Sequence, residues 1–257
     1  MNRREKWIAL RAILVKEVLR FTRIWIQTIL PPMITTALYF IIFGKLIGSQ
    51  IGDVHGFKYM AYIVPGLILM AVITNSYANV VASFYSAKFQ RNIEEMLVAP
   101  VPNYLIMIGF VGGGVARGLA VGFAVTLVAL FFTAIPLYNL WVVLSVLLLT
   151  SILFSLAGMI NAIYATSFDH ISIIPTFVLT PLTYLGGVFY TLEMLPPFWQ
   201  TLSLANPILY MVNAFRYGLL GVSDVNLVVA YLAILGFIAA LFWIALTLLN
   251  RGYGIRS

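Results

Sequence analysis

The chain has 257 residues, 62% of them hydrophobic and 9% charged, and a mean hydropathy of +1.02; this excludes an ordinary soluble domain and marks an integral membrane protein. Its formal net charge of +7 bears on orientation and on anionic lipid, and no nucleic-acid partner is expected. Cysteine is absent, which excludes disulfides, thiolate metal sites and cysteine nucleophiles.

The N-terminus opens M-N-R-R-E-K-W-I-A-L-R and stays charged to Arg23, unlike a cleaved signal peptide. Within residues 1–23, Trp7, Leu10, Leu14, Val18 and Phe21 recur at steps of three and four, with Lys6, Lys16, Glu17, Arg20 and Arg23 across the helix. That pattern predicts an amphipathic helix lying on a membrane surface. The transmembrane region is expected over 24–257, its first span at 24–47 bent by Pro31 and Pro32. A polar loop at 48–58 leads to a second span at 59–84. Residues 88–102, K-F-Q-R-N-I-E-E-M-L-V-A-P-V-P, then interrupt the hydrophobicity. They read as a short helix with an apolar edge of Ile93, Met96 and Leu97, a charged edge of Arg91, Glu94 and Glu95, and a stop at Pro100 and Pro102.

Residues 104–135 would rise about 48 Å as one helix, so their first ten residues are expected to project from the bilayer or lie along it. Gly109, Gly113, Gly114, Gly118 and Gly122 repeat at intervals of four, which lets helix backbones approach closely; packing within the chain is the preferred use, ahead of a dimer seam. Arg117, about a turn inside this span, suits either snorkelling or a place on a pathway. Further spans are predicted at 140–165 and 171–190, the latter broken by Pro175 and Pro181. Residues 195–220 carry Pro196, Pro197, Asn206 and Pro207, so each half has only about half the length needed to cross. They read as a re-entrant hairpin, with Phe198, Trp199, Tyr210 and Arg216 as an outer gate. The last span is 227–249.

Six spans place both termini on one side. With the ends inside, eleven Lys and Arg are cytoplasmic, among them Arg251 and Arg256, against Lys45, Lys58 and Arg216 outside, which orients both termini to the cytoplasm. Two polar stripes break the apolar faces: Asn75, Asn79 and Ser83 on the second span, and Thr176, Thr180 and Thr183 on the fifth. Each suits either inter-helix hydrogen bonding or the wall of a route for an amphipathic molecule.

No Gly-x-x-x-x-Gly-Lys-Ser/Thr, His-Glu-x-x-His or Gly-x-Ser-x-Gly occurs, so no catalytic residue, metal or cofactor is expected, and energy from ATP would have to come from another subunit. Two alternatives stand beside a driven permease. An intramembrane transferase would need acids or histidines clustered at one depth, and a passive channel a ring-forming polar filter.

In order, the amphipathic helix, two spans, the segment Gln90 to Pro100, further spans, and the run from Gly186-Gly187-Val188-Phe189-Tyr190 through Asn206-Pro207 to Phe215-Arg216-Tyr217 resemble the ABC-2 type permeases. These are membrane subunits of ATP-binding cassette exporters, and the resemblance covers essentially the whole chain. It implies an all-α, type V exporter-like fold and a bacterial inner-membrane location. It also implies a homodimer in contact with lipid on two copies of a separate ABC ATPase, which binds the ATP and Mg. Arg91, Glu94, Glu95 and Leu97 would form the ATPase-coupling helix, and spans two and five would line the pathway. The solute is expected to be amphipathic, lipid-like or drug-like, and exported.

Overall fold

The structure, a computed structural model, describes residues 1–254, apart from the side chains of Lys45, Ser49 and Leu97. Arg256 lies outside the described residues. Helix α1 (Arg3–Arg23) begins at a reciprocal cap, Asn2 accepting from Arg4 N–H while Glu5 accepts from Asn2 N–H. A first apolar run follows in pieces: α2 (Trp25–Thr28), α3 (Leu30–Tyr39) and a π-helical stretch at Phe40–Ile47. Pro31 and Pro32 lack the N–H groups that would bond back to the previous turn, so the helix restarts at Leu30, as expected. The predicted polar loop is helix α4 (Gly48–Ile51) and a two-stranded hairpin pairing Asp53 with Lys58 and Val54 with Phe57, turned at His55 and Gly56 with positive φ.

Then come α5 (Tyr59–Phe89), α6 (Asn92–Val98), α7 (Asn103–Leu130) and α8 (Leu140–Tyr164). Asn139 starts α8 by accepting from the N–H groups of Trp141 and Val142. The next helical run is α9 (His170–Ile174), a π-helical stretch at Pro175–Leu179 and α10 (Thr180–Tyr184). A 3₁₀ turn at Leu192–Met194 leads to α11 (Pro197–Leu204) and α12 (Pro207–Leu220), and α13 (Leu227–Arg251) closes the described chain.

Among the described residues, five stretches are long and apolar enough to cross a membrane: Trp25–Gly44, α5, α7, α8 and α13. The run expected to be the fifth of six spans is different. Its three segments of five residues each rise about 22 Å together, less than the roughly 30 Å of a hydrocarbon core. Pro181 cannot donate an N–H, and Thr180 N–H reaches back five residues to Pro175 O, which opens the helix into a π turn.

α5 is the central post. It packs against α7, α8 and α12, and 78% of its apolar window is buried, compared with 17% for Trp25–Gly44 and 11% for α13. One core gathers around its first half and α12, and a second around its last turns with Ile106, Phe110 and Met159. α7 is one helix of 28 residues, about 42 Å long. Its first part runs beside α1, with Ile13 against Gly109, Leu14 against Gly112 and Glu17 against Gly113. Gly114 and Gly118 meet Ser155 of α8 and Ser76 of α5, so this glycine stripe packs helices within one chain, the use preferred for it above.

The docked edge of α1 is Ile13, Glu17 and Phe21, while Trp7, on the apolar face expected to lie on the membrane surface, is 63% exposed. Glu17, assigned above to the charged face, has no exposed surface. The missing side chain at Gly113 is what admits it.

Candidate functional site

The stripe on α5 receives a charged group from another helix at each step. Arg117 of α7 donates to Asn75 Oδ1 at 3.0 Å. Arg20 of α1 donates to Asn79 Oδ1 at 2.8 Å and to its main-chain O at 2.9 Å. Ser83 Oγ donates to Glu17 Oε1 at 2.6 Å, and Arg20 and Glu17 pair at 3.5 Å. A buried carboxylate is tolerated because donor and counter-charge are both in place. The ladder therefore holds two guanidiniums and one carboxylate, and Arg117 is the cation left without an acid among the described residues.

A cleft of about 390 Å³ lies beside the ladder. It is lined by Pro31 and Thr35 of the first span and Met70 and Thr74 of α5, with Gln27, Thr28, Asn75, Ala78 and Arg117 toward the α6 side and Tyr39 and Leu67 toward the other. The proline break in the first span and the short side chains of α5 leave this space. Tyr39 packs in turn on Phe189, whose ring lies 5.9 Å from Tyr39, 4.7 Å from Phe43 and 6.0 Å from Tyr184, and Tyr59 Oη donates to the Phe189 carbonyl at 2.9 Å.

The base of α5 carries the charged segment. The chain turns at Gln90 and at Arg91, whose φ of 62° is left-handed, into α6. Ile93 is fully buried in the second core and anchors the segment. Arg91 and Glu95 face outward, Glu94 is half-buried and Val98 is 87% exposed; the side chain of Leu97 lies outside the described residues. Lys88 Nζ donates to the carbonyls of Ile163 and Ala165, each at 2.7 Å, tying the base of α5 to the C-terminal end of α8.

Residues 8–220 match the sequence pattern of the ABC-2 type transporter family. The chain belongs to that family. It is 61% identical over 251 residues, 98% of each chain, to the inner membrane transport permease YadH of Escherichia coli K12, and equally to YadH of Shigella flexneri. It is 24% identical over 243 residues, 93% of each chain, to nodulation protein J of Rhizobium leguminosarum bv. viciae.

In this ABC-2 protein the residues singled out from sequence separate into distinct settings. Asn75 borders the cleft, whereas Asn79 and Ser83 are consumed by the ladder. Thr176 and Thr180 are exposed, and Thr183 is buried, donating to Leu179 O. Phe198 is 70% exposed, Trp199 is exposed, and Tyr210 donates to Leu204 O. Arg216, assigned above to an outer gate, lies inside the fold. It is fully buried, its guanidinium 4.1 Å over the Tyr62 ring, donating to Gly187 O at 2.6 Å and so pinning the turn after α10 to α12.

Sequence reasoning missed Glu17 and Arg20 as partners of the stripe, and Tyr39 as part of the cleft lining. It also assigned nothing to His55, which stands 3.6 Å from Asp224, itself the acceptor of Leu192 N–H. Only the four-residue spacing of the stripe signalled the ladder; nothing in the sequence names its partners.

Proposed function

We propose that this chain is the membrane permease of an ABC exporter in the bacterial inner membrane, working as a homodimer on two copies of a separate ATPase that binds ATP and Mg. The observation that carries the reading is the continuity of α5, one 31-residue helix with α6 at its base and the cleft against its middle. A push on α6 is transmitted along a rigid rod to the cleft wall, where the proline-broken first span yields. Arg91, Glu94, Glu95 and Leu97 face the ATPase. Family membership and the inner-membrane name of YadH support the kind of partner and the location.

In this reading the run His170–Tyr184 together with the turns that follow it to Tyr190 completes a sixth crossing, both termini are cytoplasmic, and α11 and α12 re-enter from the outer side. The solute is amphipathic and passes along the cleft, with Thr176 and Thr180 facing the route from the fifth span. Phe198, Trp199 and Tyr210 lie at the outer surface.

The test is a Glu94→Lys, Glu95→Lys double variant, reconstituted in lipid with its ABC ATPase partner. ATP hydrolysis by the complex is expected to fall about tenfold or more, the two reversed charges turning favourable contacts into repulsive ones. An unchanged rate overturns the coupling role.

A further inference from the structure

Arg117 stands out because the fold uses every other charge near it. Glu17 answers Arg20, whereas Arg117 donates to the neutral Asn75, and Arg117 Nε is buried with no partner among the described residues. Asn75 is itself fully committed, since its Nδ2 donates to Ala71 O; it positions the guanidinium and offers no charge. A guanidinium midway along an apolar helix is costly unless an anion compensates it. This one lines the 390 Å³ cleft toward its α6 side, and that volume is within the roughly 300–1,000 Å³ usual for small-molecule sites.

The rest of the cleft has a different chemistry. Pro31, Met70 and Ala71 make it apolar, with the hydroxyls of Thr35 and Thr74 between them. Pro31, Thr35 and Thr74 are exposed, so the cleft opens sideways between the first span and α5, onto a face made of membrane-crossing helices. A cation at one end of an apolar, laterally open slot selects a molecule with an anionic head and an apolar tail. A free inorganic anion would give up its water for a single guanidinium with no tail burial to compensate.

We propose that the cleft is a binding site for an anionic amphiphile, with a phosphate, sulfate or carboxylate head paired to Arg117 and an apolar tail lying along Pro31 and Met70 toward Tyr39. That this amphiphile is the cargo rests on the permease reading; that the site binds it does not.

The experiment is native mass spectrometry of the purified full-length chain in neutral dodecyl maltoside, with dodecyl phosphate as probe. Dodecyltrimethylammonium serves as the cationic control and inorganic phosphate as competitor. Saturable binding of dodecyl phosphate is expected, with none of the cationic amphiphile. Arg117→Gln is expected to weaken it about tenfold or more and Arg117→Lys to retain part of it. Asn75→Asp places a carboxylate against Arg117; it keeps the helix contact yet is expected to abolish binding, so it carries the test even if Arg117→Gln fails to fold. Equal binding by wild type and Asn75→Asp overturns the site, and displacement by equimolar inorganic phosphate overturns the amphiphile in favour of a free anion. The two readings fail separately: an unchanged ATPase rate in the Glu94, Glu95 variant removes the coupling role proposed for α6 and leaves this binding result standing.

Discussion

Glu17 shows how a single side chain is misread by periodicity and placed by packing. On α1 it neighbours Lys16 and lies three residues from Arg20, so a helical projection puts it among charges that face water. In the fold it faces Gly113, with Ser83 donating to one oxygen and Arg20 beside the other. Replacing it with alanine removes the acceptor from Ser83 and the counter-charge from Arg20. Glu17→Ala is expected to lower stability by about 1–3 kcal/mol, read as a drop in melting temperature in detergent. Glu17→Gln, which keeps an acceptor for Ser83, is expected to recover part of that loss; equal melting of wild type and alanine variant would remove the ladder as a source of stability. Asn75, Asn79 and Ser83 were legible as a stripe because their spacing is local. Which of them would face a cleft was not, because Arg20, Glu17 and Arg117 arrive from residues 42 to 66 positions away.

At the scale of elements, the glycine spacing of α7 was readable and its function as a packing surface followed from it, since a four-residue repeat of missing side chains makes a groove on any helix. Gly118 has Ser76 and Ser151 where its Cβ would stand, whereas Gly236 on α13 has nothing within 4 Å. Gly118→Leu is therefore expected to separate α7 from α5 and α8 and to abolish a monodisperse elution profile. Gly236→Ala is expected to fold normally and to gain up to about 1 kcal/mol from helix propensity. Similar behaviour of the two would mean that α7 is not held by this groove. Proline positions likewise predicted the breaks at Leu30, Pro197 and Pro207. They did not predict how short the helical run from His170 to Tyr184 would be, because the residues that follow leave the helix to wrap against Gly66 and Arg216.

For the whole molecule, the run from His170 to Tyr184 leaves most of its side chains uncovered, only Leu179 and Thr183 being buried. Phe177 is 73% exposed, with Ile173, Ile174, Val178 and Tyr184 exposed beside it. In the proposed homodimer this is the face that meets the second copy. The chain has no cysteine, so single-cysteine variants report proximity without background. Phe177→Cys is expected to give a covalent dimer with a short bismaleimide in native membranes. Trp243→Cys, exposed on the peripheral α13, is expected to remain monomeric under the same conditions. Crosslinking of Trp243→Cys but not Phe177→Cys would place the second copy on the opposite side.

Composition and local pattern were enough to establish a polytopic helical membrane protein, the places where prolines and glycines break or groove its helices, and the charged segment after the second span. These depend on side-chain volume, backbone donors and hydrophobicity within a few turns. The cleft, the ladder that buries Glu17, the isolation of Arg117 and the enclosure of Arg216 were decided only in three dimensions. Each depends on which distant group supplies a counter-charge or fills a space, and that pairing carries no periodic signature along the chain.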